Sequence, residues 1–213
     1  MPIHDSLQEK KEELIKELIQ EGYLKTKSVI DAFKKVPRED FVPDEMKKYA
    51  YVNEPLPIGE GQTISQPLTV AFMTEHLDAK TGHKILEIGS GSGYQAAILS
   101  EIAGPKGKII TTEIISRLAL LAEKNLRKYK NVKVICCDGS NGYEKEAPYD
   151  RIIVTASAPN VPEALLKQLK DSGKMIIPVC NEMYLIEKQK EKTIETFLGY
   201  FAFVPLVGEH GFR

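Results

Sequence analysis

Apolar positions along this chain change their spacing twice, and each change predicts a different kind of element. From residue 5 to 21, Leu7, Leu14, Ile15, Leu18 and Ile19 share one helical face, with Asp5 or Ser6 as N-cap and Gly22 as the stop. Shorter helices are predicted over 28–36, ended by Pro37, and over 43–49. Between 51 and 66 the pattern dissolves, and Pro55, Pro57, Gly59 and Gly61 predict an ordered loop. Helical spacing resumes over 66–77, where Pro67 is tolerated in the first turn.

From residue 84 onward, short apolar runs alternate with amphipathic stretches. Strands are predicted at 84–88, 108–113, 132–137, 150–155 and 173–179, with helices at 92–103, 116–129 and 162–170. Strands this continuously apolar are buried on both faces, so the alternation predicts an α/β fold with a doubly wound, mostly parallel sheet. Strands at 183–190 and 194–204 follow with no helix between them, only Glu191-Lys192 as a hairpin turn, so the sheet is expected to end antiparallel. The chain reads as one domain: N-terminal helices and a site loop to residue 66, an α/β core over 67–180, then C-terminal strands and a tail.

Composition narrows the function. With 213 residues, 42% of them hydrophobic, the chain buries a full core. A net charge of −1 supplies no general basic field for nucleic-acid phosphates. No apolar run reaches the roughly 18 residues of a membrane span, and no secretory signal opens the sequence. Cys136, Cys137 and Cys180 are odd in number and lack metal-ligand spacing, which suits a reducing cytoplasm and no metal; Cys136 and Cys137 are expected in the core. The 28% of charged residues, rich in Lys and Glu, suits a thermophile.

The chemistry centres on Ile85-Leu-Glu-Ile-Gly-Ser-Gly-Ser-Gly-Tyr94, a strand feeding a glycine loop that opens a helix. Glycine lets backbone approach a ligand closely, and the helix start presents free N–H groups. Tyr94 stands where a dinucleotide fingerprint needs its third glycine, which disfavours a nicotinamide enzyme. Glu87 ends the first strand, Glu113 lies about 20 residues past the loop where an acid grips a ribose, and Asp138-Gly139 follows the third strand. This acidic ring suits a ribose, an adenine and a cation such as a sulfonium. No P-loop is present to hold a triphosphate. A second cluster, Gly59-Glu-Gly-Gln-Thr-Ile-Ser-Gln-Pro67, puts Ser65 at a helix start, either as its cap or as an anion ligand. His4, His76, His83 and His210 pair with no nucleophile.

Together, Gly61-Gln-Thr-Ile-Ser-Gln-Pro67, Leu86-Glu-Ile-Gly-Ser-Gly-Ser-Gly-Tyr-Gln95, Asp138-Gly139, Ile152-Ile-Val-Thr-Ala156 and Phe203-Val-Pro-Leu206 resemble the protein-L-isoaspartate O-methyltransferase family. The resemblance runs from about residue 5 to 207. Its glycine loop is common to Rossmann-like class I methyltransferases, whereas Gln-Thr-Ile-Ser-Gln-Pro is specific; Glu87 stands where many members have Asp. The resemblance implies a cytoplasmic, monomeric repair enzyme that methylates the α-carboxylate of isoaspartyl residues in proteins and peptides, using S-adenosylmethionine. It further implies Ser65 and Thr63 as catalytic residues. Cofactor contacts would come from Ile64, Glu87, Gly89, Ser90, Gly91, Ser92, Gly93, Glu113 on the ribose, Ile114, Asp138 on the adenine, and Gly139.

A carboxylate of pKa roughly 3.5 is ionised at neutral pH and needs no general base, so in-line positioning carries the reaction. The segment 203–212 is expected to flank the peptide site. Two alternatives remain on the sequence: a methyltransferase with another acceptor, and a non-catalytic adenosine-binding module. Asn141-Gly142 is a dipeptide prone to succinimide formation, which makes the enzyme its own expected substrate on ageing.

Overall fold

The computed structural model describes residues 3–190 and 192–212, and opens with α1 (Ile3–Gln20). Leu7, Leu14, Ile15 and Leu18 are buried as their spacing predicts, but Ile19 is 41% exposed and Lys11 completes the face with its stem. The helix starts ahead of Asp5 and Ser6, so neither is its cap. After α2 (Lys27–Lys35) come two 3-10 turns, Arg38–Phe41 and Asp44–Tyr49, the second in place of the helix expected over 43–49.

The stretch 51–66 holds a hairpin where a loop was expected: β1 (Leu56–Gly59) pairs antiparallel with β2 (Gln62–Ile64). Leu56 and Ile58 turn inward while Pro57 and Gly59 face out. This pair stands apart from the main sheet, so Pro57 sits on an edge where a missing donor is tolerated. Glu60 and Gly61 turn the tip with positive φ. Then α3 (Pro67–Leu77) leads into the main sheet.

That sheet is built from β3 (Lys84–Ile88), β4 (Lys108–Glu113), β5 (Val132–Cys136), β6 (Tyr149–Val154), β7 (Leu169–Val179), β8 (Glu182–Gln189) and β9 (Lys192–Tyr200). Helices α4 (Tyr94–Ala103), α5 (Ser116–Asn125) and α6 (Glu163–Gln168) connect them. The order is β5-β4-β3-β6-β7-β8-β9, parallel as far as β7 and antiparallel beyond. Two-residue strand periodicity divides the core: Ile85, Ile109 and Ile153 pack with α3, α4 and the N-terminal helices. Leu86, Ile88, Ile110, Ile152 and Val154 pack on the opposite face with Leu165 of α6. The chain runs from β3 out to β5 and returns at β6 on the other flank of β3, so a crevice opens at the C-terminal ends of β3, β4 and β6.

Several boundaries differ from expectation for identifiable reasons. Helix α6 stops at Gln168 because Leu169 already pairs with Tyr149 as the start of β7; the Gln168 side chain donates to Asn141 O at 2.7 Å and accepts from Tyr143 N at 2.8 Å. Strand β9 ends at Tyr200, short of 204, because the chain leaves the sheet to cross the crevice. There Ser157 N donates to Val204 O at 2.8 Å and Leu206 N to Ser157 O at 2.7 Å. Cys136 and Cys180 are exposed and Cys137 half-buried, not core residues, since β5 is an edge strand and Cys180 lies past the end of β7. Glu191 of the expected hairpin turn lies outside the described residues; Lys192 opens β9.

Candidate active site

The crevice is a cleft floored by the ends of β3, β4 and β6. The glycine loop hangs from the neighbouring strand, with Gly89 N and Ser90 N both donating to Thr112 O at 2.9 Å. Gly89 has φ +91°, and a Cβ there would stand 2.6 Å from Thr155 Oγ1. That hydroxyl donates to Gly89 O at 2.6 Å, so only glycine fits.

The acids differ in their partners. Glu113 is bonded at both oxygens, accepting from Gly91 N at 2.9 Å and from Ile115 N at 3.0 Å. Each oxygen keeps a lone pair for a hydroxyl ligand. Glu87 is fully buried on the cleft floor, and neither of its carboxyl oxygens has a hydrogen-bond partner. Burial pushes its pKa up to about 8. The buried hydroxyl of Ser90 is likewise unpartnered; Thr111, opposite Glu87 on β4 and outside the cleft lining, opposes the upward shift without reversing it. Orphaned polar atoms at a cleft floor are costly unless a ligand completes them, and an acid among them calls for a cation. Ile114, 43% exposed beside Glu113, adds an apolar surface fit for a base.

The opposite wall comes from the hairpin and the C-terminal strap. Gln62, Thr63, Ile64 and Ser65 line the cleft, as do Val204, Pro205, Leu206 and Val207. Ser65 is not the cap of α3: that position belongs to Gln66, and the Ser65 hydroxyl enters no hydrogen bond among the described residues. It is free to meet a ligand.

Asp138 latches the strap. Its carboxylate accepts from Ser140 N at 2.9 Å, Ser140 Oγ at 2.7 Å and Glu209 N at 2.8 Å. His210 N adds a bond to Ser140 Oγ at 3.0 Å. Gly208, with φ +147°, leaves no room for a Cβ against Asp138. Burial by itself would raise the Asp138 pKa, but the Glu209 and Ser140 donors outweigh it and hold the carboxyl below its ordinary value.

Of the residues singled out in the sequence, the structure gathers Thr63, Ile64, Ser65, Glu87, Gly89, Ser90, Gly91, Ser92, Glu113, Ile114 and Gly139 along one cleft. Gly93 and Asp138 are not among its lining residues. Gly93 stands at the start of α4, and the Asp138 carboxylate accepts from the 3-10 turn Gly139–Asn141 and from the strap. Asn141-Gly142 is also constrained: Gly142 is buried and its N donates to Gly139 O at 2.8 Å. The strap was singled out in the sequence as the segment 203–212 flanking the peptide site, and Thr155 only as part of the family-resembling stretch Ile152–Ala156, with no local sign of its bond to Gly89 O. Among the described residues, no group of three or more His, Cys, Asp or Glu is placed to hold a metal ion, and no helix is long and apolar enough to cross a membrane.

Comparison with known proteins follows the same line. The family model of protein-L-isoaspartate(D-aspartate) O-methyltransferase matches residues 9–211. The protein-L-isoaspartate O-methyltransferase of Methanopyrus kandleri is 51% identical over 211 residues, covering 95% of this chain and 93% of that protein. That of Ignicoccus hospitalis is 52% identical over 210 residues, covering 95% and 100%. Among solved structures, a protein-L-isoaspartate O-methyltransferase superposes with a TM-score of 0.88 at 29% identity, covering 94% of this chain and 67% of that one. A beta-aspartate methyltransferase structure from Plasmodium falciparum, in complex with S-adenosyl-L-homocysteine, gives 0.82 at 26% identity, covering 92% and 97%.

Proposed function

From the premise that the chain belongs to the protein-L-isoaspartate(D-aspartate) O-methyltransferase family, we propose that this cleft joins S-adenosylmethionine to the α-carboxylate of an L-isoaspartyl residue in damaged protein or peptide. The observation that carries this reading is the meeting of two walls: Thr63, Ile64 and Ser65 face the same cleft as Glu87, the glycine loop and Glu113.

S-adenosylmethionine, when bound, supplies an electrophilic methyl on a cationic sulfur. The residues present fit such a group. Glu113 accepts ribose hydroxyls with the lone pairs left over from Gly91 and Ile115. Glu87 and Ser90, unpartnered and buried, take the ammonium end. Ile114 and Gly139 would contact the base, with Asp138, which fixes the turn that carries Gly139, beside it for the adenine.

On the acceptor side, Ser65 Oγ and Thr63 hold the substrate carboxylate. That group is ionised at neutral pH, with a pKa of roughly 3.5, and needs no proton removed. No histidine is among the lining residues. Catalysis is then alignment, worth on the order of 7 kcal/mol or more where reacting atoms are held in line. The ester later closes to a succinimide without help from the protein, and part of that opens to normal aspartate. We place this repair in the cytoplasm, where the three free cysteines suit a reducing environment.

The test is methyl transfer from labelled S-adenosylmethionine to an isoaspartyl peptide and to its aspartyl twin, read as base-labile methanol. Label on the isoaspartyl peptide alone supports the reading. Equal labelling, or none while the cofactor still binds, overturns it.

A further inference from the structure

Arg38 is the largest fully buried side chain of the described residues, and nothing in the chemistry above uses it. It opens the 3-10 turn Arg38–Phe41 and is 0% exposed. Burial lowers its pKa to about 10, so it stays charged at neutral pH. Among the described residues no carboxylate stands within ion-pair distance of it. Its charge is met instead by three main-chain carbonyls: those of Ala50, of Glu54 at 3.2 Å and of Ser65 at 3.0 Å. Nε has no partner. A buried cation without a counter-ion is costly, and bonds from a charged donor are about twice as strong as neutral ones, so these carbonyls are held firmly.

The three carbonyls belong to one segment. Ala50 and Glu54 begin it, Ser65 ends it, and the β1–β2 hairpin lies between them. Arg38 therefore ties off the base of this segment, much as a pin closes a loop. A second tie acts beside it: Tyr51 OH accepts from Arg38 N at 3.3 Å and donates to the Glu39 carboxylate. Arg38 itself does not line the cleft. We propose that Arg38 is a positioning residue that sets the place of Ser65, and with it the acceptor wall, through the Ser65 carbonyl. A planar fork reaches carbonyls in different directions at once, which a lysine ammonium on a flexible stem does not reproduce. The catalytic part of this inference rests on reading the cleft as the isoaspartyl site; the structural part does not.

The experiment compares wild type with R38K and R38M. In R38K, kcat on an isoaspartyl peptide is expected to fall about 10- to 100-fold while the Kd for S-adenosylhomocysteine moves less than about threefold. Amides of residues 51–66 should exchange with deuterium faster, with β3, β4 and β6 unchanged. The exchange result stands even where wild type shows no isoaspartyl activity, which separates this inference from the functional reading. Wild-type kcat and wild-type protection over 51–66 in R38K would overturn it. So would equal losses in kcat, cofactor affinity and protection across the sheet, which mark a general structural role. Should neither variant fold, the wild type decides: slow-exchanging Arg38 guanidinium protons by NMR support the clamp, and fast-exchanging ones refute it.

Discussion

The two walls of the cleft are built on different plans. The wall proposed for the cofactor belongs to the parallel sheet: Gly89 and Ser90 hang from Thr112 O, and Glu113 holds Gly91 across a single strand spacing. The wall proposed for the acceptor is strung from two segments far apart in sequence, the hairpin followed by Ser65 and the strap through Val207. Single side chains from elsewhere, Arg38 and Asp138, pin those segments. A wall made of sheet backbone opens only with the fold, whereas a pinned segment opens locally at much lower free energy.

This contrast is tested first where the effect is largest. Glu113→Ala removes a carboxylate that bonds Gly91 and Ile115, and hydrogen bonds to charged groups are worth about 1.5–3 kcal/mol each. S-adenosylhomocysteine affinity should drop about 100-fold by calorimetry, with the peptide KM nearly unchanged. Ser65→Ala should do the reverse: kcat/KM for the isoaspartyl peptide falls about 10-fold or more, and cofactor affinity holds. A similar loss of cofactor affinity in both variants would erase the distinction between the walls.

The acids then separate by their response to pH. Glu87 has a folded pKa of about 8 against an ordinary Glu value of about 4.3. The folded apoprotein therefore keeps a proton that the unfolded chain releases, and its stability relative to Glu87→Gln falls as pH rises between those values. Denaturation of both proteins at pH 5 and pH 8 checks this. Binding of a cationic ligand at pH 7 should expel that proton from wild type and not from Glu87→Gln, visible as a buffer-dependent binding enthalpy. Asp138 shows the opposite sign, since its folded pKa is depressed. Its contribution is present above the ordinary Asp value of about 3.9 and is lost as pH falls toward the folded one. Asp138→Ala should thus cost about 1–2 kcal/mol at neutral pH and less in acid, and should raise the peptide KM modestly by freeing the strap.

The cofactor wall was legible in the sequence because its signals are local. A strand, a glycine loop and an acid about 20 residues on define one another through spacing alone, and the β/α alternation implies a parallel sheet, though not the order of its strands. The acceptor wall was legible only in part. Ser65 stood out by family resemblance, but its freedom from capping depended on Gln66 taking that position. Pro57 and the surrounding glycines concealed a hairpin, because a detached two-stranded pair tolerates residues that a central strand rejects. Arg38, between Pro37 and Glu39, looks like any charged turn residue; its burial is imposed by carbonyls 12 to 27 positions away. Asp138 was placed correctly at a strand end, yet the direction of its carboxylate was decided by Glu209, whose N–H no local pattern announces.

Asn141-Gly142 acquires a history from this arrangement. Succinimide closure needs the Gly142 nitrogen to attack the Asn141 side chain, and in the fold that nitrogen is committed to Gly139 O while Gln168 holds Asn141 O. A dipeptide prone to succinimide closure is thus held with its attacking nitrogen engaged, so isoaspartate at Asn141 is expected to form, by peptide mapping of heated protein, no faster than the 3-10 turn opens. On that reading the strap is also a preservative, and a variant that loosens it is expected to accumulate the lesion sooner.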